Sequence, residues 1–180
     1  QTSSKYTPSL EALKFIGFIR ASGNESNDSP EVHYKIADAL FSPVKRDWKV
    51  LIECTRGLGK STTVEYAVIY AAAMGEWPGF GKVPFVVFLG ASQEGNVKQF
   101  FRNVANKIER SKFISSVLKV KRGTDTELEL ENADGVEMMV VGRGMSTNFR
   151  GLRSKSGDRP TLVVADDILS NDVATSDAIR

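Results

Sequence analysis

Trp48-Lys49-Val50-Leu51-Ile52-Glu53-Cys54-Thr55-Arg56-Gly57-Leu58-Gly59-Lys60-Ser61-Thr62 is the stretch that decides how this chain is read. An apolar run with β-branched residues enters a short glycine-rich turn, and a helical pattern follows. The strand is expected at 48–53 and the helix from Lys60 to Met74, alanine-rich and closed by Gly75. In that order the backbone N–H groups of the turn converge on an anion. The Lys60 ammonium reaches the β- and γ-phosphate oxygens of a nucleotide, and the Ser61 hydroxyl ligates Mg²⁺. The helix N-terminus adds its own partial positive charge. Thr55, Arg56, Gly57, Leu58, Gly59, Lys60, Ser61 and Thr62 are therefore the expected nucleotide contacts. Cys54 stands where the strict phosphate-loop pattern has its first glycine, and Gly-Lys-Ser alone is common in surface turns.

What lifts the tripeptide above a chance turn is a second motif, Thr161-Leu162-Val163-Val164-Ala165-Asp166-Asp167. Four apolar residues read as a buried parallel strand, and two carboxylates follow at its C-terminal end. Open α/β sheets bind ligands at the carboxyl ends of their strands. Asp166 is placed to hold Mg²⁺ directly or through water, and Asp167 to orient or deprotonate an attacking water. An Asp-Asp pair also serves as a helix cap, here for a segment starting at Ile168.

The rest of the chain fits an α/β reading. Helices are expected near 8–20 and near 30–42, the second with Ser29 as N-cap and Pro30 as first helical residue. A buried strand is expected over Val83 to Leu89, and a helix with an apolar stripe over Gly95 to Lys112. Thr126 to Glu131 and Val136 to Val141, joined by Ala133-Asp134-Gly135, read as a hairpin. Gly142 to Pro160 holds five glycine or proline residues and five arginine or lysine residues, so it reads as a mobile basic loop.

At 180 residues the chain suits a single α/β domain, with 1–30 as an N-terminal helix and polar loop and 31–180 as the core. A formal net charge of +2 is too small to argue for nucleic acid by itself. One cysteine forbids an internal disulfide and fits a reducing compartment. No apolar run reaches the roughly 18–20 residues of a membrane span, and no signal peptide opens the chain. The chain stops soon after the second motif, so a core truncated before its last strands is expected.

Thr55-Arg56-Gly57-Leu58-Gly59-Lys60-Ser61 resembles the deviant Walker A loop of large terminase subunits, the DNA-packaging motors of tailed bacteriophages. That loop carries an early arginine and lacks the first glycine. His33, with Ile36 and Leu40, is similar to the family's histidine helix beside the adenine. A hairpin, then Arg150-Gly151, then an apolar strand ending Asp-Asp follows the family's order before Walker B.

The resemblance implies a P-loop NTPase fold of the ASCE/RecA-like kind, with a mainly parallel central sheet flanked by helices. It implies an ATPase domain that hydrolyses ATP with Mg²⁺ to drive double-stranded DNA into a procapsid, in the host cell cytoplasm. Arg56 would contact the γ-phosphate, Ser61 and Asp166 the magnesium, and Asp167 the water, where most members have glutamate. Arg150 would act in trans as an arginine finger in a homo-oligomeric ring, and His33 would lie on the adenine side. Portal protein and small terminase subunit are the implied partners. Nothing in the chain matches the family's nuclease domain. Among other classes, another P-loop DNA helicase or translocase is the nearest alternative. A small-molecule kinase lacks an acceptor-pocket signal, and a GTPase lacks an Asn-Lys-x-Asp base reader.

Overall fold

A computed structural model describes residues 6–42, 49–55, 57–147 and 151–168. Among these described residues, five helices and five strands follow in the order α1 (Leu10–Ser22), α2 (Glu31–Phe41), α3 (Lys60–Met74), β1 (Phe85–Gly90), α4 (Lys98–Arg110), α5 (Lys112–Val117), β2 (Leu118–Gly123), β3 (Glu127–Asn132), β4 (Glu137–Gly144) and β5 (Leu162–Ala165). A π-helical turn, Gln93–Val97, leads into α4. The strands form one open sheet in the order β2-β3-β4-β1-β5.

The sheet is mixed, which corrects the expectation of a mainly parallel one. β1 pairs in parallel with β4 and with β5, whereas β2–β3 and β3–β4 are antiparallel. The expected hairpin supplies the difference. Its second strand, β4, docks beside β1, so its first strand and then β2 extend the same sheet in the opposite sense.

A second correction concerns the strand expected over 48–53 before the phosphate loop; position 48 lies outside the described residues, and the correction applies to 49–53. These residues carry no strand assignment, and Leu51 is 83 % exposed. A strand needs a hydrogen-bonded neighbour, and no strand among the described residues pairs with this segment. The helix expected over 95–112 is resolved into the π-turn, α4 and α5, with Ser111 as the N-cap of α5 through a 3.1 Å bond from the Ile114 N–H. The α2 N-cap is Pro30 rather than Ser29, a shift of one residue.

Period-2 alternation sorts the sheet into two unequal faces. Val86 and Phe88 of β1, Leu128 and Leu130 of β3, and Met138 and Val140 of β4 join the helices in one large core. Phe85, Val87 and Val141 form a small cluster on the other face, against which Leu152 packs. α3 is buried from Thr63 to Ala73, and a helix apolar nearly all round belongs at the centre of a core. α1 shares that core through Phe15, Ile16, Phe18 and Ile19, with Ser9 as N-cap and a left-handed Gly23 closing the helix.

Where the π-turn crosses β4 the packing tolerates no side chain. A Cβ on Gly142 would lie 2.4 Å from both Phe101 Cε2 and Val97 Cγ1. The absence of a Cβ thus extends β4 into what the composition of 142–160 marks as loop. Among the described residues no helix is long and apolar enough to cross a membrane.

Candidate phosphate-binding and carboxylate site

β1, β4 and β5 run in the same direction, so Gly90, Gly144 and Ala165 end on one rim of the sheet. Asp166 continues that rim: its N–H donates to Leu89 O at 3.0 Å, adding one more bond to the β1–β5 ladder. Lys60, at the first turn of α3, brings its Nζ to 3.8 Å from Asp166 Oδ1. Two motifs far apart in sequence therefore meet in space. Lys60 is 32 % exposed and Asp166 11 %, so the carboxylate is the more enclosed partner. At 3.8 Å the pair is electrostatic, beyond direct hydrogen-bond length.

The loop before α3 contains two glycines in the left-handed region, Gly57 (φ 86°) and Gly59 (φ 68°). Gly59 is the N-cap of α3, and its carbonyl accepts from the Thr63 N–H at 2.8 Å and from Thr63 Oγ1 at 2.9 Å. No capping side chain covers the helix start. The first N–H groups of a helix lack intrahelical acceptors, which suits them to phosphate. Ser61 is exposed on that first turn and Thr62 is half-buried; Thr55 and Leu58 are exposed beside them. Arg56 and Arg150 lie outside the described residues.

Asp167 is the one non-glycine residue with a positive φ (51°) among the described residues. Asp and Asn tolerate the left-handed region better than other side-chain-bearing residues, because their short polar arms bond locally. The chain thus turns away from β5 directly after Asp166, leaving Asp167 exposed.

Between segment 49–52, α3 and the outer edge of β5 lies a cavity of about 510 Å³, with Val64, Ala67, Leu162 and Val164 in its walls and Lys60 and Asp166 at its polar end.

His33 sits in the first turn of α2 and reaches the loop from the other side. Its Nε2 is 2.8 Å from Leu58 O. A carbonyl only accepts, so Nε2 carries the proton. α2 is itself well seated. Its Phe41 packs edge-on against Phe15 at 5.1 Å, and Leu40 O accepts from Trp77 Nε1 at 2.8 Å. Asp38 accepts from Tyr6 Oη and from the Ser9 N–H. Burial pushes the Asp38 carboxyl up, but hydrogen bonds from Ser9 and Tyr6 outweigh it and hold the group below its ordinary value. Tyr6 is pushed up by burial, by its bond to Asp38 and by the nearby negative charges.

The sequence motifs did not single out Gln93, on the same rim. Its Oε1 accepts from the Gly144 N–H at 2.7 Å, tying the carboxyl end of β4 to the π-turn that follows β1. Position immediately after a buried strand was its one legible signal.

These residues fit a polyphosphate with a hard cation. Mg²⁺ takes one or two protein ligands and completes its shell with water and phosphate oxygens. The Ser61 hydroxyl and the Asp166 carboxylate are donors of that class. No group of three or more His, Cys, Asp or Glu among the described residues gathers into a metal cage, and such a site needs none. Comparison with protein-family models, curated proteins and solved structures gives no match.

Proposed function

We propose that the chain is a P-loop ATPase domain of a viral DNA-packaging motor, hydrolysing ATP with Mg²⁺ to move double-stranded DNA into a procapsid. The observation that carries the ATPase part is the meeting of Lys60 and Asp166 at the rim where the parallel strands end. The packaging part rests on the resemblance of the 55–61 loop and of the Arg150-to-Asp167 order to terminases. So do the ring, the portal protein, the small subunit and the host-cytoplasmic setting.

In this reading the 57–62 backbone and Lys60 bind and orient the β- and γ-phosphates. Ser61 and Asp166 would hold Mg²⁺, which would supply neutralisation of the phosphate charge. Asp167 orients a water for attack on the γ-phosphorus and takes its proton, while the bridging oxygen leaves with ADP and inorganic phosphate is formed. Arg56 and Arg150 keep the roles the resemblance implies, γ-phosphate contact and action in trans. A DNA helicase or translocase with the same catalytic parts is the second reading, favoured by the same Lys60–Asp166 geometry.

The test is Mg²⁺-dependent ATP hydrolysis against protein concentration, with Lys60→Ala as the blank. A Lys60-dependent rate per chain that climbs with concentration supports a site completed by a neighbour. A flat Lys60-dependent rate keeps the ATPase and moves the assignment toward a helicase or translocase. Hydrolysis undiminished by Lys60→Ala overturns the site.

A further inference from the structure

We propose that His33 is a positioning residue of the phosphate loop, an α2-borne clasp that fixes the Leu58–Gly59 peptide so that its N–H is presented to phosphate. This rests on the nucleotide reading above and adds a role that the adenine-side expectation does not contain.

The argument begins with the peptide plane. No cis peptide bond occurs among the described residues, so the Leu58 C=O and the Gly59 N–H point in opposite directions across one rigid plane. His33 Nε2 holds the carbonyl at 2.8 Å. Pinning the oxygen on the α2 side turns the amide hydrogen to the opposite side, away from α2. A flip of that plane would instead aim a carbonyl oxygen at the anion and repel it. One side-chain hydrogen bond thus selects between an attractive and a repulsive loop.

Contact geometry shows that the ring and the loop fit each other. A Cβ built on Gly59 would stand 2.8 Å from His33 Nε2 and 3.2 Å from its Cε1. The left-handed φ of 68° favours glycine at 59, and a side chain there would displace the His33 ring from the loop. The clasp also has a firm base. His33 is tied into the first turn by its own N–H to Pro30 O at 2.9 Å, and Ile36, Ala37 and Phe41 of the same helix are buried. With Nε2 engaged by the loop, the polar edge of the ring is committed to the backbone rather than to a base.

A clasp and an adenine contact make different predictions for conservative replacements. Phenylalanine keeps a flat ring for stacking and loses the donor. Glutamine loses the ring and keeps an N–H donor.

The experiment measures Mg·ATP and Mg·GTP binding, together with kcat and KM for ATP, in the wild-type chain and in His33→Ala, His33→Phe, His33→Gln and Lys60→Ala. Thermal melts check that each variant is folded. A single lost hydrogen bond should weaken Mg·ATP binding and raise KM by about tenfold in His33→Ala and His33→Phe, with kcat at saturation within about threefold. His33→Gln should recover to within about threefold of wild type, and the ATP-to-GTP ratio should stay constant throughout.

Wild-type affinity in His33→Ala overturns the clasp. So does a His33→Phe that binds like wild type while His33→Ala loses preference for ATP, which would put the ring on adenine. Absence of Lys60-dependent nucleotide binding in the wild-type chain removes the nucleotide reading itself, and the clasp with it. A failure confined to the His33 variants leaves that reading standing.

Discussion

The lysine arm of the site and its carboxylate arm are held in place by different means. Lys60 begins a helix buried on every side from Thr63 to Ala73. That helix is locked sideways by Glu65, 4 % exposed, which pairs with Lys107 at 2.9 Å and accepts from Asn103 Nδ2 at 2.7 Å. The carboxylates end a four-residue strand that pairs, among the described residues, with β1 alone, and Val163 is 56 % exposed. Apart from the contact with Lys60, their position rests on the β1–β5 ladder, extended by Asp166 N–H to Leu89 O, and on the left-handed backbone of Asp167. The core sets where the lysine stands, whereas local backbone geometry sets where the carboxylates stand. Substitutions that act on one means of support should leave the other alone.

The largest separation is expected at Asp167. Asparagine tolerates the left-handed φ of 51° but cannot take a proton. In Asp167→Asn, phosphate release should fall by about 10²–10⁴-fold while Mg·ATP binding holds. Glutamate offers a base on a longer arm that no longer bonds its own backbone locally, in a conformation that costs ordinary residues about 1–2 kcal/mol. Asp167→Glu should therefore lower the melting temperature slightly and turn over more slowly than wild type. Asp167→Gly, free of backbone strain, should melt no lower than wild type although it is inactive. Turnover retained in the asparagine variant would move the base elsewhere. This backbone offers a physical reason for aspartate rather than glutamate at position 167.

That reason could not be read from the sequence, and the case is instructive. α3 was legible to the residue because an alanine-rich run with a terminal glycine is a local signal; the apolar runs that became β1 and β5 were legible too, with β1 beginning two residues later than expected. Partner choice is not local. The alternation at 126–141 announces a hairpin but carries no mark that β4 will lie beside β1, so the sheet's mixed character stayed hidden. β2, Leu118–Gly123, buries only Leu118 fully and reads as a basic surface cluster until β3 pairs with it. Apolar residues at 50–52 look like part of a strand, yet the segment has no pairing neighbour among the described residues. At the site, the two motifs that bring Lys60 and Asp166 together were legible, because a Gly-Lys-Ser turn and an apolar run ending in carboxylates are each local patterns. The His33–Leu58 contact was not, since it joins a ring to a backbone atom and leaves no trace in residue identity.

A smaller effect is expected from loosening the lysine arm. Glu65→Ala would leave Lys107, 17 % exposed, without its carboxylate against the buried face of α3. Removing one partner of a buried pair costs about 3–5 kcal/mol, and the partial exposure of Lys107 brings the expected loss nearer to about 2 kcal/mol. For a chain of this size, about 2 kcal/mol lowers the melting temperature by roughly 4–8 °C. At temperatures where the variant stays folded, kcat should change little, because the carboxylate arm does not depend on Glu65. An equal loss of kcat at those temperatures would show that the two arms are not independently supported.

The finest test uses pH on the platform that carries His33. Asp38 has a folded-state pKa below its ordinary value of 3.8, so its ionised form is favoured by folding. The stability it contributes is fully present above that ordinary value and is lost as pH falls through the lower folded-state value. Asp38→Ala removes the acceptor for Tyr6 and Ser9 and should cost about 1–2 kcal/mol at neutral pH. The gap in melting temperature between wild type and Asp38→Ala should then narrow as the medium is acidified below about pH 4. A gap that stays constant with pH would mean that the side chain acts by packing rather than by charge. Asp167→Asn keeps Asp38 and should show the wild-type acid response, because the group responsible lies on the helix side of the site and not at the edge of the sheet.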